Sequence, residues 1–368
     1  MRRLRFTRLA DDRGAVAIVV ALLMVALLGS AAISIDAGRL YVERRQLHNG
    51  SDAAALALAQ MCSGANKLSL ADCVTSVTGI SDQATRLAEA NKNDGAAYAG
   101  VLPRRSTDPL TSVRVRTMSR APDGSTELPL FFAPVLGQNT KTVSAESLAT
   151  WGLPIQGRAA LPITVDICHF PQGLLADTVS FWPAQFIQYA GQEIAPNPLC
   201  PLTVTDPVSN IGGIQVYRPV PGGFGWLPQA PGQCYAVVNK FLQQTPSQPG
   251  NSFPTECGSQ LDKLRNTVIL LPVYDYAGGQ GANGWYHIPA FAAFKLTGWR
   301  FGGSPDLSWN NTSSDPRQNC TDDCRGIKGQ FTKLVVLNQI DLPGVIDVNG
   351  YRNLGTLNLG VTAVVLSQ

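Results

Sequence analysis

Charge and histidine are scarce in this sequence, and the spacings that usually carry catalysis are missing. Only 15% of the residues are Lys, Arg, Asp or Glu, and there are three histidines. Arg2, Arg3, Arg5, Arg8 and Arg13 sit in the first fourteen residues against Asp11 and Asp12, which leaves 24 basic and 24 acidic side chains beyond residue 35. The larger part of the chain is therefore neutral, and the basic face that nucleic-acid binding requires is excluded. Nucleophile-elbow, zincin, EF-hand, phosphate-loop and von Willebrand-type metal spacings are all absent. The chain is accordingly read as non-enzymatic, with no cofactor and no metal.

Two weaker constellations point the same way. Cys168 and His169, with His287 and an Asp, would spell a protease, but neighbours on a strand face opposite ways and cannot serve each other. Cys320 and Cys324 offer two thiols without the second ligand pair that a zinc site needs. Overlapping glycosylation sequons at Asn310-Asn311-Thr312-Ser313 read as ordinary loop residues.

What is present in quantity is one long apolar run. Ala15–Ile35 carries no charge, and eleven of its residues are Val, Ile or Leu. A hydrocarbon core of ~30 Å needs ~20 helical residues. At roughly −0.3 to −0.6 kcal/mol each, the branched residues alone favour insertion by about −3 to −7 kcal/mol. A signal-peptide core is usually shorter, so the run reads as a retained membrane helix. The arginines of residues 1–14 place that tail in the cytoplasm and the bulk of the chain outside it, in a single-pass cell-membrane protein.

Helix formers continue past the membrane. Ile33, Leu40, Leu47, Ala54 and Met61 recur every seven residues, which draws one apolar stripe along a rod reaching Gln60. Gly38 and Gly50 each weaken that rod by roughly 1 kcal/mol, so a kink near the membrane surface or at Asn49–Gly50 is allowed. By position, Asp36 meets the interface, Tyr41 anchors there, and the Ala-rich stretch permits close helix approach.

The residues from Arg13 to Ala59 resemble the N-terminal module of the TadE/TadG-like group of tight-adherence (Flp-type) pilus assembly proteins. The likeness rests on Gly14 before the span, on Asp36, Gly38, Arg39 and Tyr41 after it, and on Arg45, Gln46, Leu47 and the run from Asp52 to Ala57. It implies a non-enzymatic assistant of pilus assembly and cell adhesion, whose partners are the membrane and other pilus-assembly or pilin-like proteins, met through the N-terminal helix. It also makes the Gly14–Ala15 bond a candidate processing site. Processed pilin-like proteins carry Glu at the fifth position after the glycine, whereas Val19 stands there. An uncleaved anchor is expected. The alternative is a membrane-tethered enzyme or carbohydrate-binding module.

Beyond the rod, an α+β fold is expected in two parts: a small α+β region over residues 61–151 and a β-rich extracytoplasmic domain over 152–368. Ser81 caps a helix through about Asn91. Val113 and Val115 alternate with Arg114 and Arg116, and Val143, Ala145, Ser147 and Ala149 repeat the same period of two. Leu128–Gly137, around Phe131-Phe132, is a packed turn or short helix. Apolar runs at Leu161–Ile167, Thr267–Tyr274, Trp285–Phe301, Phe331–Leu337 and Val361–Leu366 read as strands. Arg218–Gln233 and Thr245–Pro254 read as loops, and Ala277–Gly284 as a hairpin tip. Trp285, Trp299 and Trp309 are assigned to the β core.

All eight cysteines lie beyond residue 61, an even number that suits an oxidising compartment. Cys62–Cys73 and Cys320–Cys324 are the expected local disulfides. Cys168, Cys200, Cys234 and Cys257 are expected to pair among themselves.

Overall fold

The computed structural model describes residues 13–65, 78–167, 184–188, 210–211, 214–215, 225–229, 231–242, 244–248, 253–279, 281–301, 307–315, 318–321, 324–332, 334–337, 346–347 and 359–367. Its architecture is α+β: a long N-terminal apolar helix followed by a β-rich remainder.

Helix α1 (Arg13–Gln60) is a single unbroken element of 48 residues. Neither Gly38 nor Gly50 interrupts it, and a π turn at Met61–Ala65 ends it. At 1.5 Å per residue such a helix is about 72 Å long, well over twice what a bilayer needs. Its large apolar side chains from Val16 to Leu28 stand exposed, as do Ile33 and Ile35. In a protein this surface is tolerable only against lipid or another apolar helix.

The second half of α1 lies on a sheet. Helix α2 (Thr78–Ala90) packs beside it. Ser81, expected as the cap, stands inside α2, because the helix begins three residues earlier. Strands β1 (Ala97–Leu102), β2 (Ser112–Ser119) and β5 (Ser144–Pro154) form an antiparallel core, with Ala97 opposite Ser119 and Ser112 opposite Thr150. The alternation of β2 has its expected consequence. Val113, Val115 and Thr117 are buried toward the helices, while Arg114 and Arg116 point the other way, to Asp108 and Glu146.

Two further strands from the far end of the chain complete this sheet. Val361–Ser367 pairs antiparallel with β5, and Leu334–Leu337 lies parallel beside it. The expected boundary at residues 151/152 falls inside β5, whose Trp151 is fully buried in the helix-sheet core beside Val364. The apolar run Phe331–Leu337 is also not one strand. Gly326–Thr332 belongs to the second sheet and Leu334–Leu337 to the first, so the chain crosses between sheets there.

Between β2 and β5, the stretch expected as a packed turn or short helix is a hairpin with a short helical turn at its tip. Strands β3 (Glu127–Pro129) and β4 (Thr140–Thr142) pair, and the tip carries a 3₁₀ turn at Ala133–Leu136 closed by Gly137 at φ 82°. Phe131 and Phe132 are exposed rather than packed.

The second sheet holds Val165–Asp166, Val268–Tyr274, Ala290–Arg300, Gly326–Thr332 and Gln185–Gln188 in that order. Trp285–Phe301 splits into Trp285–His287 and Ala290–Arg300 around Pro289, which has no N–H to give to a ladder. Trp285–His287 pairs with Tyr276–Gly278 across the expected glycine-rich tip. Two stretches expected as loops contribute structure: Trp226 bridges Ile163, and Thr245–Pro246 pairs with Trp285–Tyr286. Trp299 is core and Trp309 stacks on it at 4.8 Å, whereas Trp285 is half-buried against Tyr276.

Candidate functional site

The residues that carry the sequence motif fall on two sides of α1. One side faces the chain's own sheet. Leu47, Ala54, Ala55, Leu58 and Ala59 are buried there with Val113, Val115, Ala145, Ala149 and Trp151, and Leu40 and Met61 pack at the margins. The apolar stripe is therefore satisfied internally from Leu40 outward. Only its Ile33 end remains exposed.

Polar groups are set into this buried side one to two turns apart. Asp36 comes first. Its carboxylate accepts hydrogen bonds from three consecutive backbone N–H groups, Phe131 and Phe132 at 2.9 Å and Ala133 at 2.8 Å. The N–H groups at the start of a short helical turn have no internal partner and form a ready concavity for an anion. Burial alone would raise the Asp36 pKa. The three N–H donors and the charge of Arg39 outweigh it, and the net shift is downward. Asp36 is thus held ionised as the anion that closes the β3–β4 tip onto α1, and is not a free interfacial carboxylate.

Glu43 follows two turns on. It accepts from the Ser119 hydroxyl at 2.6 Å and meets the Lys92 ammonium at 2.8 Å. The Lys92 side chain is 1% exposed and reaches Asp94 and the Ala96 carbonyl as well, so its charge is buried but fully partnered. The Leu47 carbonyl then accepts from Thr117 at 2.8 Å. Ser51 and Asp52 share the Ser147 hydroxyl of β5, at 2.7 and 2.5 Å. Gly50 packs closely on α2: a Cβ there would stand 3.1 Å from the Ala88 Cα. The small residues of the rod thus serve an approach within the chain.

The other side of α1 carries Gly38, Tyr41 and Arg45, all exposed, while Arg39, also exposed, sits at the margin and donates to the Pro129 carbonyl of the hairpin. A Cβ on Gly38 would meet nothing within 4 Å. Tyr41 is 70% exposed and Val42 lies beside it. Gln46 bridges the two sides by accepting the Asn93 N–H at 3.3 Å. Gly14 and Ala15 lie in the first turn of α1. Sequence reasoning had singled out Asp36, Leu47 and Asp52 but had passed over Glu43, Ser51 and Lys92, and had read Ser147 only as part of a strand. A signal existed: Glu43 and Ser51 interrupt an apolar stripe at helical spacing, which marks them as polar groups with partners in the core.

Two disulfides lie among the described residues, Cys234–Cys257 and Cys320–Cys324. Cys62 is also disulfide-bonded, and its expected partner Cys73 lies outside the described residues, as do Cys168, His169 and Cys200. The other candidate groups are engaged structurally. His287 Nδ1 and Asp275 meet at 2.7 Å under the stacked ring of Tyr276. The amide nitrogens of Asn310 and Asn311 donate to the carbonyls of Thr297 and Cys320. No group of three or more His, Cys, Asp or Glu side chains able to hold a metal ion occurs among the described residues.

Comparison with curated proteins and with solved structures finds no match. Residues 14–60, which are α1 almost to the residue, match the Tad family model, Flp pilus-assembly TadE/G-like.

Proposed function

We propose that this chain is a non-enzymatic, single-pass membrane protein that assists assembly of an Flp/Tad-type adhesive pilus. One observation carries the reading: the family match over residues 14–60 coincides with α1, Arg13–Gln60. The arginine-rich tail lies in the cytoplasm and the sheets outside it. Because the outer stripe is occupied by the chain's own sheet, partner pilus-assembly or pilin-like helices meet α1 in two places. These are the exposed span from Val16 to Ile35 and the exposed Gly38, Tyr41 and Arg45 side just above it. Close approach is easiest at Gly29 and Gly38, where a Cβ would meet nothing in this chain.

The test is deletion and complementation in the native cell, scored by surface pili in electron micrographs. Deletion should abolish or sharply reduce pili, and the full chain should restore them. A version whose residues 13–60 are replaced by an unrelated membrane helix and linker should not. Normal piliation without the protein would overturn the proposal.

A further inference from the structure

From the β3–β4 hairpin we infer a second membrane contact: its tip dips into the phospholipid surface from which α1 emerges. This rests on the membrane-anchor reading above. From Leu128 to Thr140 the hairpin has no charged side chain. Its tip exposes Phe131 by 66%, Phe132 by 43% and Val135 by 88%. Single exposed apolar residues are ordinary, but three on one protruding tip are not.

The hydrogen bonds give the direction of the hairpin. Arg39 donates to the Pro129 carbonyl at 3.0 Å, and Asp36, three residues nearer the span, takes the N–H groups of Phe131, Phe132 and Ala133. Three helical residues are about 4.5 Å of rise, so the hairpin runs down the rod toward the lipid and its tip reaches the level where the charge-free segment ends. The strands behave consistently, since β2 meets Leu47 at Thr117 and Glu43 at Ser119, with the β1–β2 turn at the far end. The occupant is lipid because the exposed tip continues the exposed apolar surface of α1. The Arg39 guanidinium, 4.6 Å from the Phe131 ring centre, stands where a headgroup phosphate would be met. Two contacts on one rigid body fix the tilt of the sheets over the bilayer, which a lone helix cannot do.

The experiment uses the full chain with its native cysteines oxidised, reconstituted in phosphatidylcholine vesicles. An environment-sensitive fluorophore is placed in turn on Val135→Cys, on Leu23→Cys in the span and on Thr107→Cys in the β1–β2 turn. Nitroxide lipids then quench from shallow or deep positions. The expected result is a blue-shifted Val135 label that loses most of its emission to shallow nitroxide, a Leu23 label quenched by deep nitroxide, and an unquenched Thr107 label. Phe131→Ser with Phe132→Ser should return the Val135 label toward the Thr107 behaviour. If Leu23 is quenched and Val135 is not, the tip contact is wrong and the anchor stands. A blue-shifted but unquenched Val135 label would mean burial against protein and would also overturn the lipid contact. If Leu23 itself is unquenched, the anchor reading falls and the tip contact with it.

Discussion

Glu43 of α1 and Lys92 after α2 meet at 2.8 Å with the lysine almost wholly enclosed. Removing Glu43 leaves the enclosed Lys92 with only Asp94 and the Ala96 carbonyl as partners. Glu43→Ala is therefore expected to cost about 1 to 3 kcal/mol of stability, whereas the paired change Glu43→Leu with Lys92→Met should cost less. Denaturant unfolding of the two variants checks this. Equal losses would mean that the pair is not the buried unit described.

Asp36 gives a pH dependence with a definite sign. Its folded pKa lies below the ordinary carboxylate value, as do those of Asp108, mainly through the Arg114 hydrogen bond, and Glu146, mainly through Arg116. A lowered folded pKa contributes stability that is fully present above the unfolded pKa, about 3.9 to 4.3, and is lost as pH falls through the folded value. Melting temperatures should hold from neutrality to about pH 5 and fall below it. Asp36→Asn should start lower and show a shallower acid decline, and an unchanged slope would contradict the assigned role of the three N–H groups.

Gly50 and Gly38 separate folding from assembly. Leucine at Gly50 would press on the Ala88 backbone and should cost about 1 to 3 kcal/mol. Alanine at Gly38 meets open space and should raise helix stability by roughly 0.5 to 1 kcal/mol. Thermal melts of both variants test the folding half. If Gly38→Ala folds well yet fails to restore pili, the exposed side of α1 is the partner surface.

Cys234 and Cys257 close a loop with a sequence separation of 23. Replacing both by Ala should cost about 3 kcal/mol. Peptide mapping without reduction should recover the Cys234–Cys257 and Cys320–Cys324 linkages, and free thiols at these four positions would contradict the fold around them.

The features legible in the sequence are those that local periodicity encodes. The charge-free run, the continuous rod and the Leu40, Leu47, Ala54, Met61 stripe follow from composition and a period near 3.6, and β2 follows from a period of two. What periodicity cannot encode is the partner of a face. The stripe looked suited to other helices, but its outer part packs on the chain's own sheet, completed by Val361–Ser367 from more than two hundred residues away. Asp36 was placed at the membrane interface by position alone. The three backbone N–H groups that hold it come from a hairpin some 95 residues on, in a stretch whose two phenylalanines suggested a packed turn or short helix and not an exposed tip. That Gly326–Thr332 and Leu334–Leu337 belong to different sheets was hidden for the same reason, since one apolar run, Phe331–Leu337, takes in part of both.

The central claim is that α1 stays whole as a membrane-retained rod continuous with the docked ectodomain. Mass spectrometry of the protein extracted from carbonate-washed membranes, covering the peptides across Gly14–Ala15 and Ala32–Ile33, tests it most directly. Both bonds are expected intact in membrane-bound chains. A chain beginning at Ala15 would restore prepilin-type processing, and a soluble chain beginning near Ile33 would refute the anchor.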